Sequence, residues 1–217
     1  MTTKITFLVL LTAVLFAFGC APKIASDNTH AGMDHNSMPM NHNGMDHGNM
    51  DHSTMQSSAN AANAPYDLQF LDTMVAHHQG AINMAAPCAQ KAMHAEIKAL
   101  CSNIISSQQK EIDQMKSWRE KWFGSATPAM NMEMAGMNDS MKGMDMKKLA
   151  TLTANDFDLE FVKQMIPHHE GAVIMGKEAL QKSTKDEIKT LANAIIKAQE
   201  AEIKQMKEWQ TAWGNSH

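Results

Sequence analysis

A basic surface is the first thing this sequence lacks. The formal net charge is −4 over 217 residues, so there is no electrostatic footprint for a polyanion, and nucleic acid is not an expected partner. Strands are missing as well: no segment alternates apolar and polar residues with the two-residue period of a half-buried strand. The apolar run from Ile5 to Phe18 is too short for a comfortable membrane span. Catalytic signatures are absent too. No Glu-x-x-His motif, which dinuclear carboxylate bundles carry on two helices, occurs in the chain. No serine, cysteine or histidine triad logic emerges either, so the chain is not expected to be an enzyme.

The short apolar run has a different meaning. It follows Lys4 and ends in Gly19-Cys20, the shape of a secretory signal. Ala17-Phe18-Gly19-Cys20 resembles a lipobox, with bulky Phe18 and with Ala17 where leucine is usual. The expectation is an exported chain, cleaved after residue 19, lipidated on Cys20 and touching the membrane only through that anchor. A periplasmic or envelope location follows, with residues 1–20 as the signal.

Self-comparison shows a duplication. Residues 66–122 align without gaps on residues 157–213 at a constant offset of 91. Identities include His77/His168, His78/His169, Gly80/Gly171, Gln108/Gln199, Glu111/Glu202 and Trp118/Trp209. Each copy carries two stripes at three- and four-residue spacing, such as Phe70, Leu71, Met74, His78 and Ala81, then Ile97, Leu100, Ile104, Gln108, Glu111 and Met115. Such stripes mark amphipathic helices. The predicted fold is all-α: a ferritin-like four-helix bundle of two duplicated hairpins, residues 65–123 and 155–214. Turns are expected near Lys91–Ala95 and Lys182–Asp186, with Ser183 or Thr184 capping the helix that follows. Pro87 and Pro167 fall inside helical patterns, where proline bends a helix.

Methionine is the residue in excess, 21 in all. Thirteen lie in two low-complexity stretches without helical or strand period. The first, within a tail at 21–64, holds His30, Met33, His35, Met38, Met40, His42, Met45, His47, Met50, His52 and Met55. The second, within a linker at 124–154, holds Met130, Met132, Met134, Met137, Met141, Met144 and Met146. Both stretches read as mobile, weak metal-binding segments. A connection this long is either functional or disordered; it could also cross the full length of the bundle, as ferritin-like crossovers do.

The helical methionines behave differently. Six of the seven form repeat-related pairs, Met74/Met165, Met84/Met175 and Met115/Met206. The halves differ at more than half their positions, yet they keep the same thioethers and imidazoles. Leucine and methionine exchange at little cost in a core, so the retention points to chemistry. Helix geometry puts His77, His78 and Met74 level with Gln108, Glu111 and Met115. A pseudo-two-fold would bring His168, His169 and Met165 to the same height. Thioethers favour Cu(I), or silver as its mimic, and imidazole adds affinity for Cu(II). Copper ions, with silver as a surrogate, are therefore the expected cargo, and other envelope copper-handling proteins the expected exchange partners. Glu111 and Glu202 sit on the buried stripe, where they must pair with His or Lys, ligate metal or turn to solvent.

Met74-Val75-Ala76-His77-His78-Gln79-Gly80-Ala81-Ile82-Asn83-Met84 and Met165-Ile166-Pro167-His168-His169-Glu170-Gly171-Ala172-Val173-Ile174-Met175 resemble the signature of the family called domain of unknown function 305. That family is similar in fold to ferritin-like bundles and includes CopM-like periplasmic copper-binding proteins linked to copper resistance. The resemblance spans both repeats. It implies that Met74, His77, His78, Met84, Met165, His168, His169 and Met175 are metal-site candidates. Cys88 and Cys101 lie at matching distances either side of the first turn, and a disulfide between them is expected in an oxidising envelope.

Overall fold

The computed structural model describes residues 55–214. The signal, Cys20 and the tail candidates from His30 to His52 lie outside the described residues. Among the described residues seven helices follow a short 3-10 turn: α1 (Tyr66–Ala85), α2 (Cys88–Lys91), α3 (Ala95–Phe123), α4 (Met137–Met141), α5 (Met146–Thr151), α6 (Ala154–Lys182) and α7 (Asp186–Gly214). Among the described residues no strand forms; there is one isolated bridge between Ala92 and Ala154. The fold is an all-α helical bundle. Among the described residues no helix is long and apolar enough to cross a membrane.

Helix α1 packs on α3 and α6 on α7, and the two hairpins meet through α1 and α6. Reciprocal clasps fix their direction. Asp67 at the start of α1 accepts from Thr184 Oγ1 (2.6 Å), in the turn that follows α6. Asp158 near the start of α6 accepts from the backbone N–H of Met93 (3.1 Å) and of His94 (2.8 Å), in the turn between α2 and α3 beyond the end of α1. The start of each helix therefore sits at the far end of the other, so α1 and α6 run antiparallel about a pseudo-two-fold axis. These bonds also engage Thr184, and Ser183 Oγ accepts from the Lys185 N–H at 3.1 Å.

The two prolines have different outcomes. Pro87 separates α1 from α2, whereas Pro167 lies within the continuous helix α6. A buried disulfide joins Cys88 to Cys101 across the first turn, with Cα atoms 6.3 Å apart. In the chain-entropy model a loop this short contributes about 3 kcal/mol. Buried Ala179 and Ala192 occupy the equivalent positions, so the second hairpin closes by packing alone.

The linker departs from expectation. It is packed rather than loose, with short helices α4 and α5 and with Met132, Met134 and Met137 at 8, 6 and 0 % exposure. Period counting misses it because its buried residues lie on a chain that winds along a groove, not on a regular helix. It does cross the full length of the bundle. Asn131 N–H donates to Thr73 Oγ1 (2.9 Å) early in α1, and at the other end Lys91 Nζ donates to the Ala150 carbonyl (2.6 Å). Lys148 on α5 pairs with Glu160 of α6 at 2.6 Å. Helix α4 approaches α6 so closely that a Cβ on Gly171 would collide with Ser140 Oγ and the Gly136 carbonyl. Glycine at 171 is the condition for that contact.

Candidate metal centre

The doubled histidines lie where α1 and α6 cross, and all four are buried. His77 and His168 face each other across the pseudo-two-fold, ring centroids 3.8 Å apart. His77 Nε2 lies 2.9 Å from Ser140 Oγ and 3.1 Å from the His168 carbonyl. This inner pair is engaged in joining the hairpins and the linker.

The outer pair has another arrangement. His78 Nε2 lies 2.6 Å from Glu111 Oε2, and His169 Nε2 lies 2.7 Å from Glu202 Oε2. The carboxylates left open by sequence thus pair with histidine, one across each hairpin. An ionised carboxylate only accepts, so in a neutral ring Nε2 carries the proton and Nδ1 presents its lone pair. Nδ1 of His78 and of His169 is buried and meets no protein partner. Carboxylate, imidazole proton, then an open ring nitrogen is the order seen in histidines that ligate metals. Gln108 Oε1 and Gln199 Oε1 are buried without a partner in the same way. A buried acceptor left unsatisfied costs about 1–3 kcal/mol. Both halves keep such atoms at the same repeat positions.

The glutamines were outside the expected ligand set. Their signal was identity between repeats on the buried stripe, one turn before Glu111 and Glu202. Ser140 had no sequence signal, because it belongs to the unduplicated linker.

The six paired methionines are fully buried and divide into two sets. Met74, Met115 and Met175 share one apolar cluster, and Met84, Met165 and Met206 share the other. Each set takes two thioethers from one hairpin and the third from the other. Antiparallel crossing explains this. Residues before the His-His pair on α1 face residues after it on α6, so Met74 meets the part of α6 that carries Met175. Within a hairpin, Met74 lies one turn from His78 and Met115 one turn from Glu111. In the second hairpin Met165 and Met206 stand at the same one-turn spacing from His169 and Glu202.

Among the described residues no three His, Cys, Asp or Glu side chains converge as a metal-holding group. A metal held here must draw on thioether sulfur. His94, the helix-turn histidine without a repeat partner, has its Nδ1 2.7 Å from Asp158 Oδ2 and its ring stacked on Trp213 at 3.8 Å. Its counterpart Lys185 sits over Trp122, 5.2 Å from the ring centroid. This position is a structural clasp.

A family model described as domain of unknown function (DUF305) matches residues 21–119 and 67–210. The chain belongs to the DUF305 family. No curated protein matches it, but solved structures do. CopM in its Cu(II)-bound form is 44 % identical, covering 69 % of this chain and 99 % of that one, with a TM-score of 0.60. The Cu(I)-bound form is 41 % identical with the same coverage and a TM-score of 0.59. The form co-crystallised with silver is 42 % identical, covering 68 % of this chain and 96 % of that one, with a TM-score of 0.58. CopM thus has solved forms with Cu(I), Cu(II) and silver bound.

Proposed function

We propose that this protein binds copper, chiefly Cu(I), in the bacterial envelope, for sequestration, resistance or delivery, and catalyses no reaction. The observation that carries this reading is the pairing of buried His78 with Glu111, repeated as His169 with Glu202, in a core that buries six repeat-paired methionines. Likeness to CopM in Cu(I), Cu(II) and silver forms supports the choice of metal. Soft thioethers prefer Cu(I) or Ag(I) over zinc or magnesium, and imidazole extends the range to Cu(II). Nothing favours a dinuclear oxidase: Glu111 and Glu202 each hold one histidine in separate hairpins. The ligand role falls on the doubled histidines of both repeats, with His78 and His169 oriented by their carboxylates and His77 also tying the two hairpins together.

Anaerobic Cu(I) competition on full-length protein and on protein lacking residues 30–55 tests the reading. At least two tight equivalents are expected in both. Deletion should lower total stoichiometry and barely move the tight affinity, because ligands on a folded scaffold lose less entropy on binding than ligands on a free chain. Loss of tight binding on deletion would make the bundle a mere carrier. No tight binding in either protein would leave an envelope structural or partner-binding domain as the reading.

The setting is part of the proposal and rests on Ile5–Phe18 followed by Gly19-Cys20. Mass spectrometry of protein from cell envelopes should find a chain that starts at lipid-bearing Cys20. An unmodified chain starting at Ala21 would keep export and remove the anchor; a chain retaining Met1 would remove both.

A further inference from the structure

The linker treats the two methionine sets unequally. Where it passes Met84, Met165 and Met206, its buried apolar contribution is Leu149, and Met144 and Met146 are only partly buried. Where it passes Met74, Met115 and Met175, it inserts Met132, Met134 and Met137 into the same cluster, all buried, and no leucine. Leucine would fill such space with little loss, and the linker uses leucine at its other end. Packing therefore does not account for three thioethers on one side alone.

Their position is fixed. The Met130 carbonyl accepts from Ser58 N–H at 2.8 Å, and Met132 N–H donates to Ser57 Oγ at 2.9 Å. Between them, Asn131 N–H donates to Thr73 Oγ1, and Thr73 is the chain neighbour of Met74. The segment is thus pinned beside the first ligand of that cluster. A surface cleft of about 380 Å³ opens at the same place, with Met130, Met115, Leu71 and Val75 in its wall beside the Asp72–Arg119 ion pair and Lys116. Met115 is itself fully buried in the cluster, so the cleft brings solvent to the edge of the sulfur-rich core.

We propose that Met132, Met134 and Met137 extend the Met74/Met115/Met175 cluster into a pocket for one additional soft monovalent cation, Cu(I) or Ag(I), entered past Met130. The inference rests on the copper reading of the core and adds a site the second half of the bundle lacks. A pocket of neutral thioethers suits a soft, singly charged ion, since it supplies polarizable donors and no carboxylate that would favour a harder one.

Silver titration of the full chain, labelled with carbon-13 on the methionine methyls and followed by NMR, tests it. The Met132, Met134 and Met137 methyl signals should move within the same tight phase as those of Met74, Met115 and Met175. In native mass spectrometry, a Met132→Leu, Met134→Leu, Met137→Leu variant should carry one silver ion fewer than wild type. Its Met84, Met165 and Met206 signals should still respond. Linker methyls that stay fixed while the core methyls shift would overturn the additional site and leave the core reading intact. Fixed methyls throughout the bundle would overturn both. If the triple variant does not fold, the wild-type titration decides alone.

Discussion

Changing Met175 to leucine is expected to weaken the same tight Cu(I) equivalent as changing Met74, although the two residues belong to different hairpins. The prediction follows from the division of the buried methionines, since Met175 shares its cluster with Met74 and Met115. Combining Met74→Leu with His78→Gln should weaken that equivalent at least tenfold, or about 1.4 kcal/mol. Adding Met115→Leu and Met175→Leu removes every proposed protein ligand of the site except the linker sulfurs. The loss should then exceed a hundredfold, roughly 2.8 kcal/mol. The other equivalent, at Met84, Met165, Met206 and His169, should persist unchanged in the same variant. Leucine replaces methionine in a core at a cost below about 1.5 kcal/mol, and both new residue types are good helix formers. The variant should therefore remain folded, as circular dichroism would show. Two outcomes count against the assignment. If Met175→Leu weakens the equivalent that depends on Met165, the cross-hairpin grouping is wrong. If full replacement in both clusters leaves tight Cu(I) binding in a helical protein, the buried methionines are packing and the sites lie elsewhere.

The cross-hairpin grouping marks the limit of what the sequence makes legible. Repeat identity and helical spacing identify the helices, the turns and the shared level of His77, His78, His168 and His169, because those depend on local period and on a gap-free alignment. They leave open whether each half owns a site or both share one. The structure gives a third arrangement, two buried methionine clusters each built from both halves, because α1 and α6 run antiparallel past the facing rings of His77 and His168. Direction of packing is a tertiary property that no spacing along one helix encodes. The linker shows the same limit from another side. Its methionines stand out by composition, but Met132, Met134 and Met137 become core residues only through bonds to distant partners such as Thr73 and Ser57. The role of Glu111 is intermediate. Its place on the buried stripe demands a partner, and only the hairpin geometry selects His78 over solvent.

That partnership carries the last expectation. Glu111→Leu should lower Cu(I) affinity of the Met74/Met115/Met175 site by about 10–100-fold with every proposed ligand still present, the usual effect of removing a carboxylate behind a metal-bound histidine. Two causes act together. The carboxylate 2.6 Å from His78 Nε2 holds the ring in the orientation and tautomer that offer Nδ1 to the cluster, and its charge makes that nitrogen a better donor. Glu111→Gln separates them, since a glutamine oxygen can still accept the Nε2 proton but carries no charge. Its loss should fall between wild type and leucine, and the gap between the two variants measures the charge contribution. Removing the acceptor also strands a buried N–H, at a cost of about 1–3 kcal/mol in stability, so affinities belong well below the melting range of each variant. Glu202→Leu should have the same effect on the site that contains Met165 and none on its neighbour. If Glu111→Leu binds Cu(I) as tightly as wild type, the carboxylate only fastens α3 to α1, and His78 either ligates without its help or does not ligate at all.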